Sequence, residues 1–69
     1  MNVWIAEWGP IGGSGEIIGI YEEEEYAKYA ATSKLVEKYT QEIHGAPVKG
    51  NYTWIDKYHW ARITGYWTE

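Results

Sequence analysis

The sequence predicts an α+β fold: one domain over residues 1–69, a three-stranded, mostly antiparallel sheet in the order β-β-α-β, and a single helix packed on one face. Three observations carry this reading. An alternating apolar segment, Met1 to Trp8, is followed by the strand-forming run Ile17-Ile18-Gly19-Ile20-Tyr21. Composition then switches to helix formers at Tyr21/Glu22, and from Tyr52 to Trp67 it returns to β-branched and aromatic residues.

Each element has a local cause. In Met1 to Trp8 the two-residue period puts Val3 and Ile5 on one side and Trp4, Ala6 and Trp8 on the other, so neither side is fit to be wholly wet. Pro10 and the glycines of Gly9 to Gly15 mark a connector, seven residues that are long for a hairpin loop. It lacks the Lys-Ser/Thr pair and following helix of a phosphate-binding loop, because Glu16 and a strand come next. It reads as a mobile hairpin loop or lid. In Glu16 to Tyr21, Gly19 marks a bulge or a close backbone approach.

Glu22 to Glu25 fill a first helical turn, where carboxylates complement the positive end of the helix dipole. Tyr29, Thr32, Val36, Tyr39 and Ile43, with Leu35 beside them, recur at steps of three and four and form a core-facing stripe. Lys34, Glu37, Lys38, Gln41 and Glu42 take the wet side, and Glu24 precedes Lys28 in the favourable i, i+4 order. Thr32-Ser33 has no Glu or Gln three residues on to complete a capping box, so one helix is expected to run on to the stop at Gly45 and Pro47. His44, in its last turn, reads as a structural cation. The segment from Tyr52 to Trp67 is one long bulged strand or two short ones, interrupted near Asp56-Lys57.

Composition bounds the function. Sixty-nine residues give one thin core, and no cysteine is present to reinforce it with a disulfide or a thiolate metal site. No run reaches the length of a transmembrane helix and no basic flank precedes an apolar signal core, so a cytoplasmic location without membrane partners is expected. The net charge of −4 speaks against extended nucleic acid, whose affinity comes from Lys and Arg on phosphates. Two histidines and helix-bound carboxylates assemble no catalytic constellation, so no catalytic residue, metal or cofactor is expected. Aromatics are 17% of the chain, all Trp or Tyr and none Phe, a skew that suits interfaces and stacking sites as well as a small sheet of β-formers.

One helix covers one sheet face. With Val3, Ile5, Ile18, Ile20, Ile55 and Ile63 placed beneath it, alternation gathers Trp4, Trp8, Tyr21, Trp54, Tyr58 and Trp60 on the opposite face, with Arg62 among them. Trp4, Trp8, Trp54, Tyr58, Trp60 and Arg62 are therefore the candidate ligand-binding residues, covered by a second copy of the chain in a homodimer or higher oligomer. A cleft walled by such rings stacks a base, and Arg62, Lys57 or His59 would reach a phosphate.

The strand Val3-Trp4-Ile5-Ala6-Glu7, the strand Glu16-Ile17-Ile18-Gly19-Ile20-Tyr21, the acidic start Glu22-Glu23-Glu24-Glu25-Tyr26-Ala27 and the closing aromatic strand resemble small uncharacterised phage and bacterial proteins of strand, strand, helix, strand order. That likeness spans most of the chain and implies no functional residue. In size and aromatic content the chain is also similar to phage-encoded sponges, which bind cyclic-nucleotide or cyclic ADP-ribose-type immune signals in oligomeric pockets without cleaving them. This second resemblance implies a non-catalytic counter-defence protein of the host cytoplasm that sequesters a nucleotide-like ligand. The alternative is an inhibitor or adaptor that docks on a host protein through its aromatic sheet face.

Overall fold

A computed structural model describes residues 2–35, 39–43 and 48–67, with 39–43, 48, 49 and 67 described by their backbone alone. The elements in chain order are β1 (Asn2–Pro10), β2 (Glu16–Tyr21), α1 (Glu24–Thr32), β3 (Tyr39–Ile43), β4 (Val48–Ile55) and β5 (His59–Trp67). The fold is α+β, as the composition switches imply. Four strands in the spatial order β2-β1-β5-β4 make an antiparallel sheet, and β3 pairs along the outside of β4 as a fifth. Tyr52 to Trp67 is thus two strands and a tight connection.

The central pair is β1 and β5, matched without a break from Asn2 opposite Trp67 to Pro10 opposite His59. The β1–β2 ladder slips by one residue between Ala6 and Glu7, where Ala6 faces Gly19 and Glu7 faces Ile17. The bulge expected at Gly19 is there. It also lets the Tyr21 ring approach so closely that a Cβ on Gly19 would lie 2.8 Å from the phenol oxygen.

The helix is much shorter than its apolar periodicity predicts. It ends at Thr32, and the stretch expected to continue it holds β3, so Tyr39 and Ile43 belong to a strand and not to a helical stripe. Val36, His44, Gly45 and Pro47 lie outside the described residues. The stop is local: Thr32 Oγ1 donates to the Lys28 carbonyl at 2.7 Å and Ser33 Oγ to that of Ala30 at 2.9 Å. The amides of Lys34 and Leu35 then bond three residues back, tightening the last turn.

Alanines, not tyrosines, face the sheet. Ala27 and Ala31 are fully buried one turn apart, whereas Tyr29 is 77% exposed. The bulk comes from the other side of the contact: Trp4 and Trp54, 4% and 6% exposed, lie in the core with Ala6, Ala61, Ile63 and Leu35. Small residues on the helix let its axis come close to a sheet that carries indoles, and the two surfaces fill each other's volume. This overturns the orientation expected for β1 and β4, whereas Ile18 and Ile63 pack beneath the helix, and Trp60 and Arg62 lie on the far face, as expected. The face carrying Trp4, Ala6 and Trp8 lies under α1, and the face carrying Val3, Ile5 and Ile20 points away from it.

Across the same contact Lys28 bonds Glu24 at 3.0 Å and lies 4.6 Å from the Tyr52 ring centroid, so the expected i, i+4 pair bridges helix and β4. The hydrogen bond to Glu24 raises the Lys28 pKa above its ordinary 10.5 against an opposing desolvation. A raised lysine pKa favours the fold below 10.5 and loses that contribution as pH climbs through the folded-state value. At this exposure it is worth about a few tenths of a kcal/mol. Among the described residues no helix is long and apolar enough to cross a membrane.

The Trp4 indole packs against Gly65, where an added Cβ would sit 2.7 Å from the ring. Gly65→Ala is expected to cost about 1–3 kcal/mol, read as a lower urea midpoint at unchanged slope. Tyr29→Ala, on the wet side of α1, is expected to stay within about 0.5 kcal/mol of the parent.

Candidate functional site

Between β4 and β5 the chain turns on one carboxylate. Asp56 follows the last residue of β4, and its Oδ1 accepts the backbone N–H groups of Tyr58 at 2.8 Å and His59 at 2.6 Å. Its own amide donates to the His59 carbonyl at 2.9 Å. This is an Asx-type turn, in which a short acceptor side chain replaces a backbone partner. It sets the orientation of everything in β5: Trp54 and Ala61 pair on the helix face, and Ile55 and Trp60 pair on the other.

The turn brings Asp56 and His59 together, although an uninterrupted strand would hold them on opposite faces. Nδ1 of His59 stands 3.6 Å from Oδ1 of Asp56, too far for a hydrogen bond and close enough for an ion pair once the imidazole is protonated. Glu7 does not join them. It receives two bonds from Arg62, at 3.2 and 3.0 Å, on the open face.

Beside this turn lies the Gly-rich loop, shorter than the sequence implies because β1 runs through Gly9 to Pro10 and leaves Ile11 to Gly15. Gly13 N–H donates to the Pro10 carbonyl at 3.0 Å, and Gly12, third residue of that turn, has φ +78°. A side chain there would be strained, which accounts for a glycine at that position. Ile11 N–H bonds the Tyr58 carbonyl at 2.9 Å and ties the loop to the β4–β5 turn.

Loop and turn together enclose a cleft of about 280 Å³, lined by Trp8, Gly9, Pro10, Ser14, Gly15, Glu16 and His59. Its aromatic walls are the Trp8 indole and the His59 imidazole, with centroids 5.3 Å apart and planes inclined by 38°. The Lys34 ammonium, just past the end of α1, is 5.2 Å from the Trp8 ring, and Glu16 brings a carboxylate to the cleft. The site thus combines two flat rings, a hydroxyl, exposed backbone and one charge of each sign. Comparison with models of protein families, with curated proteins and with solved structures finds no match to this chain.

The structure divides the sequence-predicted residues among four places. Trp4 and Trp54 are core, so their indoles are spent on packing beneath α1. Trp8 reaches the cleft, while Tyr58, 65% exposed, sits in the β4–β5 turn. Trp60 and Arg62 share the open face, with the guanidinium carbon 5.2 Å from the indole centroid. The expected continuous aromatic face does not form, because the Asp56 turn places Trp54 and Trp60 on opposite sides of the sheet. His59, Ser14 and Glu16 complete the cleft instead. The loop's glycine content and its position between two strands were the signals for Ser14, whereas nothing in the pattern paired His59 with Trp8. Among the described residues no cluster of three metal-ligating side chains occurs.

Asp56→Ala removes the acceptor of two backbone amides at a 3% exposed side chain and is expected to cost about 1–3 kcal/mol by thermal denaturation. His59 ring resonances should shift in the same variant. Asp56→Asn, which keeps an acceptor oxygen, is expected to retain more than half of that stability.

Proposed function

We propose that the protein is a non-catalytic binder that sequesters a small, flat, nucleotide-like ligand in the cleft between the Gly-rich loop and the β4–β5 turn. The single observation that carries this is the pairing of the Trp8 and His59 rings on the wall of a 280 Å³ cavity. Pockets for small molecules are mostly apolar, with a few convergent polar groups, and this volume lies near their lower limit. It suits a heteroaromatic ring with a short substituent, not an extended strand.

Each group has a part. Stacking against an aromatic side chain contributes about 1 to 3 kcal/mol per base. Glu16 accepts from amino or ribose hydroxyl groups, Ser14 and the loop backbone offer further bonds, and Lys34 supplies a positive charge within reach of an anion held against Trp8. The non-catalytic reading is supported by how Asp56 is engaged. Its Oδ1 is held by two backbone amides and stands too far from Nδ1 to orient the imidazole by a hydrogen bond. In this reading the protein acts in the cytoplasm, as a phage-type counter to nucleotide signalling would.

Isothermal titration against 3′,5′-cyclic nucleotides, cyclic dinucleotides and cyclic ADP-ribose tests the proposal, with tryptophan emission read in parallel. Saturable heat with one member of the panel, weakened about 10-fold or more in Trp8→Ala, is expected. Tyr29→Ala, on the wet side of α1, should bind as the parent does. Heat indistinguishable from dilution for every member would reject it.

A further inference from the structure

Among the described residues no helix packs on the face of the sheet away from α1; the Gly-rich loop meets Trp60 at one end of it, and Thr64 on β5 is buried there. Register places Val3, Ile5, Ile17, Ile20, Ile55 and Tyr66 on it, and Ile17 and Ile20 are 60% and 63% exposed. Trp60 lies on the same face, opposite Ile55. Ile17, Ile20 and Tyr66 are exposed and Val3, Ile5 and Ile55 half-buried, and a contiguous apolar patch of this kind marks a contact surface.

At its middle stands one pair of opposite charges. Glu7 on β1 and Arg62 on β5 face each other across the two central strands, bonded at 3.0 Å, and keep 25% and 40% of their side-chain surface exposed respectively. We infer that this face is the contact surface between two copies of the chain, related by a two-fold axis that runs along the strands between β1 and β5. Such an axis exchanges left and right across the midline. It therefore sets Arg62 of each copy over Glu7 of the other, and each carboxylate receives a guanidinium from both chains.

Two further observations select a second copy as the occupant. The face carries its own complement, one acid beside one base, whereas the acidic excess of the described side chains lies elsewhere, in Glu22 to Glu25 before and within the first turn of α1 and in Glu16 at the cleft. Two copies meet there without mutual repulsion. The size is also suitable. Four strands about 4.8 Å apart, with up to nine residues rising about 3.3 Å each, span on the order of 600 Å². A stable interface takes about 800 Å² from each partner, the same order. Sheets stacked in this way pack aligned, with their inner side chains interdigitated. The inference does not depend on the cleft, which lies off the face.

Sedimentation equilibrium at about 100 µM, where a dimer of micromolar affinity is populated, reads the outcome directly. The parent is expected at twice the 8.0 kDa of one chain. Glu7→Arg and Arg62→Glu each leave like charges facing like charges and should sediment as monomers. Mixed in equal amounts, they should form a heterodimer, and the double variant Glu7→Arg/Arg62→Glu should dimerise as the parent does. Circular dichroism and tryptophan emission confirm that each variant is folded. A monomeric parent would overturn the inference, and so would dimers that persist in both single variants or a mixture that stays monomeric.

Discussion

The contact on which the remainder depends is the close approach of α1 to the indole-bearing side of the sheet. Two alanines one turn apart, Ala27 and Ala31, meet a surface to which Trp4 and Trp54 bring the bulk. A chain of 69 residues has too little interior to tolerate a gap, so this match of small to large decides which sheet face is dry. It also explains two small residues on β5: Gly65 leaves room for the Trp4 ring, and Ala61 sits opposite Trp54. The tyrosines of α1 point outward because their side of the helix never approaches the sheet.

The element order β, β, α and then strand, the Gly19 bulge and the Glu24–Lys28 pair were legible from composition and spacing, because each depends on neighbours in the chain. The helix length was not. Residues 29 to 43 carry apolar groups at helical intervals, yet Thr32 and Ser33 back-bond to carbonyls and end the helix, and 39–43 gain more by pairing with β4. Periodicity cannot register that competition, since the partner strand lies further along the chain.

The polarity of β1 and β4 was misread for a related reason, whereas that of β5 was not. Hydrophobicity ranks aliphatic and indole faces alike, and only the size of the helix residues discriminates between them. A pattern of Ala27 and Ala31, four apart, was the available signal for which side would accept tryptophan. Of the candidate site, Trp8 was legible as a strand-end aromatic, but its partner was not. His59 reaches it through a turn built on a single carboxylate, and a turn reverses the alternation on which face assignments rest.

The loop from Ile11 to Gly15 has two sides. Ser14 and Gly15 line the cleft, while the Trp60 indole, which belongs to the opposite sheet face, packs against Gly9 and Gly15 and donates to the Gly13 carbonyl at 3.4 Å. A hairpin tip is usually the part of a small protein most forgiving of change. Here it is a partition shared by two rooms. A methyl group at Gly15 meets the indole, and a shift of Trp60 is felt by the wall of the cavity, so selection on either surface constrains the other.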